Sequence, residues 1–157
     1  MLFQFVNERQ DQFRVIDKAV RSPTVDRWMN LSDMDLKLSM TSGGRSGSIL
    51  LKNDTVPGLF SVTAGIHSSL EPWCDILIDL PDEANANGIN RLYYQSRLER
   101  SRDACKRTSK GTSVSIASSD LSGDGTYIAK ATIRKESPMT SLVKNRVRHS
   151  LHSLRKS

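Results

Sequence analysis

Apolar and polar side chains alternate with a period of two in seven short runs: LFQFVN (2 to 7), DLKLSM (35 to 40), GSILLKN (47 to 53), GLFSVTAGIH (58 to 67), WCDILIDL (73 to 80), TSVSIAS (112 to 118) and TYIAKATI (126 to 133). Successive side chains of an extended backbone point to opposite sides, so each run predicts a strand with one face turned to a core. Between them, "TSGGRSG" (41 to 47), "NDTVPG" (53 to 58) and "SSDLSGDG" (118 to 125) supply the Gly, Asn, Asp and Pro residues that tight reversals require. Short strands at this spacing predict a mainly β chain folded as a β-sandwich.

Two segments depart from the alternation. In "NGINRLYYQSRLERSRDACKR" (87 to 107), Ile89, Leu92, Tyr93 and Ser96 fall at i, i+3, i+4 and i+7, while Arg91, Arg97, Glu99, Arg100 and Arg102 cover the other sides. That spacing predicts an inserted amphipathic helix lying on the sheet. The last stretch begins with Ser137 as an N-cap and Pro138 in the first helical position, then places Leu142, Val143, Val147, Leu151 and Leu154 along one face of a basic helix. We therefore divide the chain into a sandwich domain at 1–133 and a basic amphipathic tail at 134–157.

Charge distribution changes what the net charge of +6 means. From Arg134 onward there are seven Lys/Arg against Glu136 alone, so residues 1–133 hold sixteen basic and sixteen acidic side chains. A neutral body does not track phosphates, which argues against a nucleic-acid partner. The tail, in contrast, has the charge to lie on an anionic membrane. The opening residues lack the apolar core of a signal peptide or a membrane span, and two cysteines make no disulfide framework or zinc spacing. The expectation is a soluble chain of a reducing, cytoplasmic compartment, with no metal or other cofactor.

The chemistry concentrates in "AGIHSSLEPWCDILIDL" (64 to 80). Strand alternation puts Cys74, Ile76, Ile78 and Leu80 on one face and Trp73, Asp75, Leu77 and Asp79 on the other. Cys74 thereby reads as a small core residue with a raised pKa, not a nucleophile. No acid stands at a fixed spacing from His67, and His149 and His152 lie in the tail, so no catalytic pair is visible. The polar face of Trp73, Asp75 and Asp79 beside a Ser/Gly-rich connection fits two readings equally. One is a sugar site, with carboxylates accepting hydroxyl protons and a ring for the apolar face of a pyranose. The other is a solvated strand face with one surface tryptophan.

The order "LSMTSGGRSGS", "FSVTAGIHSSLEPWCDI", "GINRLYYQ" and "KGTSVSI" resembles the fungal fruit-body lectin family from about residue 13 to 133. That family's pattern is a strand ending in Met before a Gly/Ser turn, a Gly-Val-His segment leading to Trp-Cys-Asp-Ile, and a later Ile-Asn-x-x-Tyr-Tyr. The resemblance implies an actinoporin-like β-sandwich assembled as a homotetramer and binding carbohydrate without catalysis. It also implies two sugar sites per subunit, for galactose linked to N-acetylgalactosamine and for terminal N-acetylglucosamine.

Carried over by position, the galactose-type site falls on Gly43, Gly44 and Ser68, with a further contact near Thr24. The family pattern has serine at 43, asparagine at 68 and one residue fewer between His67 and Trp73. The N-acetylglucosamine-type site falls on Asp75, Ile76, Ile78 (threonine in other members) and Arg100, which neighbours the aligned Glu99. The family's tyrosine in this site has no counterpart between Cys105 and Lys110. The alternative reading is an actinoporin-like membrane-binding or pore-forming protein. It lacks an aromatic cluster, with nine aromatics in the chain, and its N-terminus alternates like a strand.

Overall fold

The computed structural model describes residues 1–7, 13–24, 26–31, 35–40, 42–53, 58–95, 98, 100–109, 111–119 and 127–135. The expected tail helix lies outside them. In chain order the elements are β1 (Leu2–Asn7), β2 (Phe13–Val20), β3 (Arg27–Asn30), β4 (Asp35–Ser39), β5 (Arg45–Asn53), β6 (Leu59–Ile66) and β7 (Pro72–Leu80). They continue with α1 (Ala86–Gln95), β8 (Asp103–Arg107), β9 (Thr112–Ser118) and β10 (Ile128–Lys135). All seven alternating runs form strands, their ends displaced by no more than two residues.

The strands make two stacked sheets, one ordered β3-β4-β1-β10-β9-β8 and the other β2-β5-β6-β7. Among these strands only β1 and β10 pair in parallel. The inner faces meet in one core that includes Phe3, Leu38, Ile49, Phe60, Val62, Cys74, Ile76, Val114, Ile116 and Ile133. Phe13 meets Phe60 edge-on at 5.6 Å, and Phe3 meets Trp28 at 5.0 Å. Helix α1 covers the outer face of the four-stranded sheet, where Ala86, Ile89 and Tyr93 pack on Leu50, Leu59 and Trp73. The outcome is a β-sandwich with an inserted helix, in three layers.

Three strands were hidden in the sequence, each for a physical reason. The ladder of β2 with β5 shifts between Val15 and Asp17, so Ile16 bulges outward, 42% exposed, and FRVIDKAV does not alternate. β3 is only four residues long. β8 sits inside the stretch read as one helix from 87 to 107. The apolar stripe after Tyr93 calls for apolar residues at 96, 97 and 100 but finds Ser, Arg and Arg. Helix α1 accordingly ends at Gln95, and DACKR pairs antiparallel with β9.

A second bulge corrects the reading of β7. Ser61 faces Leu77, but Leu59 faces Leu80, so three residue steps on β7 oppose two on β6, and Asp79 takes a positive φ of 52°. Past that extra residue the side chains change sides. Cys74, Ile76 and Ile78 face the inter-sheet core as expected. Leu80, expected with them, instead joins Leu77 under the helix.

Cys74 is fully buried, its Sγ 3.2 Å from the carbonyl oxygen of Arg102, and burial pushes its thiol pKa up to about 11. Between pH ~9 and 11 the unfolded chain releases this proton while the folded chain keeps it, so the cysteine's stabilising contribution is complete below pH 9 and declines above it. We expect Cys74→Ala to cost about 1 kcal/mol at pH 8, and that deficit to disappear or invert by pH 11, since two units correspond to about 2–3 kcal/mol. Urea unfolding of both proteins across this range tests it. A constant difference would mean that the thiol titrates alike in both states.

Candidate functional site

The outer face of the four-stranded sheet is where the sequence placed its candidate platform. Trp73 is not that platform, because the indole is 1% exposed and sealed beneath the helix. Its ring lies 5.2 Å from that of Tyr93 and 6.0 Å from that of His67. The indole reaches this position because residue 65 is glycine: a Cβ there would stand 2.8 Å from Trp73 Cε2 and 2.4 Å from the Arg45 carbonyl oxygen. Both readings of Trp73, solvated surface residue and sugar platform, are thereby overturned.

Polar groups fasten the helix over this face. Asn85 caps its N-terminus by accepting from the Gly88 amide, and Asp17 of β2 accepts from the Ala86 amide at 2.8 Å. Buried Asn90 donates to the hydroxyls of Ser46 and Ser48, and the Ser48 hydroxyl meets that of Thr63 at 2.8 Å. Each of these polar residues satisfies the next, so a buried Asn carries little desolvation cost here.

Asp75 lies at the edge of this assembly, 5% exposed. Its carboxylate accepts from the Tyr93 hydroxyl at 2.9 Å and pairs with the Lys106 ammonium at 3.1 Å. Burial, reinforced by the Asp75 charge, pushes the Tyr93 phenol far up, so it stays a protonated donor. Arg100 approaches the same helix turn from the other side. Its guanidinium donates to the Tyr93 carbonyl and lies 5.0 Å from the Trp73 ring and 5.2 Å from the Tyr94 ring. Asp75 and Arg100, candidates from separate parts of the sequence, thus meet through Tyr93. Ile76 and Ile78 turn their side chains into the core. Lys106 escaped the sequence reading because its strand was taken as helix. DACKR does not alternate polar and apolar residues, so its exposed and half-buried alternation shows only in the structure.

The other candidates share a rim. The turn before β5 packs against the loop between β6 and β7, and a Cβ on Gly43 would stand 2.6 Å from the His67 carbonyl oxygen and 3.2 Å from Ser68 Cα. Gly44, at φ 72°, donates its amide to the Ile66 carbonyl, and the space where its Cβ would project is open. Ser68 is exposed beside them, and Thr24 is exposed on the chain between β2 and β3. Gly43, Gly44 and Ser68 are therefore brought together. A side chain at position 43 has no room while the His67 carbonyl stands there.

The Asp75 network predicts coupled stability losses. Asp75→Ala leaves the buried Tyr93 hydroxyl without its acceptor, and Tyr93→Phe removes the donor, so each should cost about 1–3 kcal/mol. Together they should cost clearly less than the sum, by about 1 kcal/mol, in a urea-unfolding double-mutant cycle. Strict additivity would show that the two groups do not interact.

Comparison with known proteins agrees with this architecture. A family model described as fungal fruit body lectin matches residues 2–131. The solved structure of wild-type Xerocomus chrysenteron lectin gives a TM-score of 0.70 at 18% identity, covering 85% of this chain and 96% of that one. A methionine-substituted form of the same lectin gives 0.72 at 19% identity, covering 85% and 95%. These two structures share the fold. The family match extends from the first residue of β1 into β10, so the whole sandwich with its helix carries it, and the chain belongs to the fungal fruit body lectin family.

Proposed function

We propose that this chain binds carbohydrate without catalysis, taking galactose-type glycans at the rim of Gly43, Gly44 and Ser68 and N-acetylglucosamine-type glycans beside Asp75, Arg100 and Lys106. The observation that carries the reading is the family match over residues 2–131, and what supports the galactose-type rim is the close approach of Gly43 to the His67–Ser68 backbone. That approach holds two loops side by side, with an exposed hydroxyl and open space above Gly44, and polar groups held beside open space suit a neutral sugar. In the second site Ile76 contributes only main chain, since its side chain is buried, and Ile78 faces inward likewise. Asp75 has an oxygen shared with exposed-side Lys106, whose side chain is 38% exposed, so that edge is the approach open to a hydroxyl.

Single sugar sites of this kind are weak, and a homotetramer in the cytoplasm would present several together, raising avidity without new contacts. The basic tail adds a route to anionic membranes.

A glycan array tests the assignment. The parent should bind both glycan classes. Ser68→Trp should weaken galactose-type binding by about tenfold or more, and Arg100→Ala should do the same to N-acetylglucosamine-type binding, each sparing the other. A parent that binds no glycan contradicts the proposed function. Two variants that lose both classes equally, with circular dichroism unchanged, contradict the division into two sites.

A further inference from the structure

Sugar rings usually need an apolar contact as well as hydrogen bonds, and Trp73, sealed under the helix, does not supply it. The described residues include four large exposed apolar side chains: Ile16 on the β2 bulge, Leu31 after β3, Leu92 on the outside of α1, and Leu70. Only Leu70 belongs to the rim. It is 61% exposed, and its Cδ2 lies 3.3 Å from where a Cβ on Gly43 would stand, next to Ser68. Its backbone is held at φ 68°, a region that L residues with large side chains rarely adopt. Three hydrogen bonds keep it there: Leu70 N to the His67 carbonyl at 2.9 Å, His67 N to the Glu71 carbonyl at 2.8 Å, and the Tyr127 hydroxyl to the Leu70 carbonyl at 2.7 Å. A three-residue hairpin loop calls for this left-handed conformation, but glycine or asparagine takes it at less cost, and an exposed leucine there gains nothing for the core.

We infer that Leu70 is a specificity-determining residue of the galactose-type site, its isobutyl group forming the apolar wall against which the sugar ring or an N-acetyl methyl rests. The inference rests on the proposed function.

The test is calorimetric titration with the disaccharide of galactose and N-acetylgalactosamine, using the parent, Leu70→Asn, Leu70→Met and Ser68→Trp. Asparagine tolerates positive φ, so Leu70→Asn should melt at or above the parent's temperature yet bind about five- to tenfold more weakly, the loss expected for one apolar contact. Leu70→Met should bind within about twofold of the parent. If Ser68→Trp weakens binding and Leu70→Asn does not, the site stands and the Leu70 inference falls. If neither variant weakens binding, the sugar binds elsewhere and both fall. A parent that does not bind the disaccharide overturns the galactose-type reading and this inference with it.

Discussion

Residue 65 has no Cβ, and the outer side of the four-stranded sheet is built on that one absence. With any side chain there, Trp73 and the Arg45 carbonyl would both have to move, because the two contacts would fall at 2.8 and 2.4 Å. With glycine, the indole settles against β6 and offers a broad apolar surface for Tyr93 and Ile89 of the helix. Burying an indole and a phenol ring contributes on the order of several kcal/mol, more than any single polar contact on this face. The hydrogen bonds of Asn90, Asp17 and Asp75 then determine where the helix lies, not whether it is covered. The covered face gives Trp73 no access to a ligand.

Alternation revealed the seven strands whose inner faces are continuous rows of apolar residues, since period two is the direct consequence of one buried face. It failed where the backbone adds a residue or where a competing periodicity lies across the strand. At Ile16 and again near Asp79, a bulge changes which side later residues face, so Leu80 could not be placed by counting from Cys74. In 87–107, arginines at helical spacing masked the change from helix to strand, because charged residues satisfy the solvent side of either element. The family resemblance spans this segment without repairing the error, since its motif there is carried by Ile89, Asn90, Tyr93 and Tyr94 alone.

For the site, the legible part was contact between distant loops. Gly43, Gly44 and Ser68 were grouped by the family resemblance and by nothing in the residues themselves, and the structure brings them side by side, with a Gly43 Cβ falling 2.6 Å from the His67 carbonyl. What was not legible was exposure. Trp73 and Leu77 share a strand face in sequence with Asp75, but whether that face meets water depends on the helix that follows the strand, Ala86–Gln95. The same limit hid Leu70, an ordinary loop leucine until its φ and its neighbour are known.

The account stands most directly on the closure of the Trp73 face. The chain has two tryptophans, so Trp28→Phe leaves Trp73 as the sole indole fluorophore. Acrylamide quenching of this variant, with and without saturating galactose- and N-acetylglucosamine-type sugars, measures its access to water and to ligand. The closed-face account predicts blue-shifted emission, slow quenching and no change in quenching on adding either sugar. Red-shifted, readily quenched emission that a sugar protects would place Trp73 in the binding surface and contradict it.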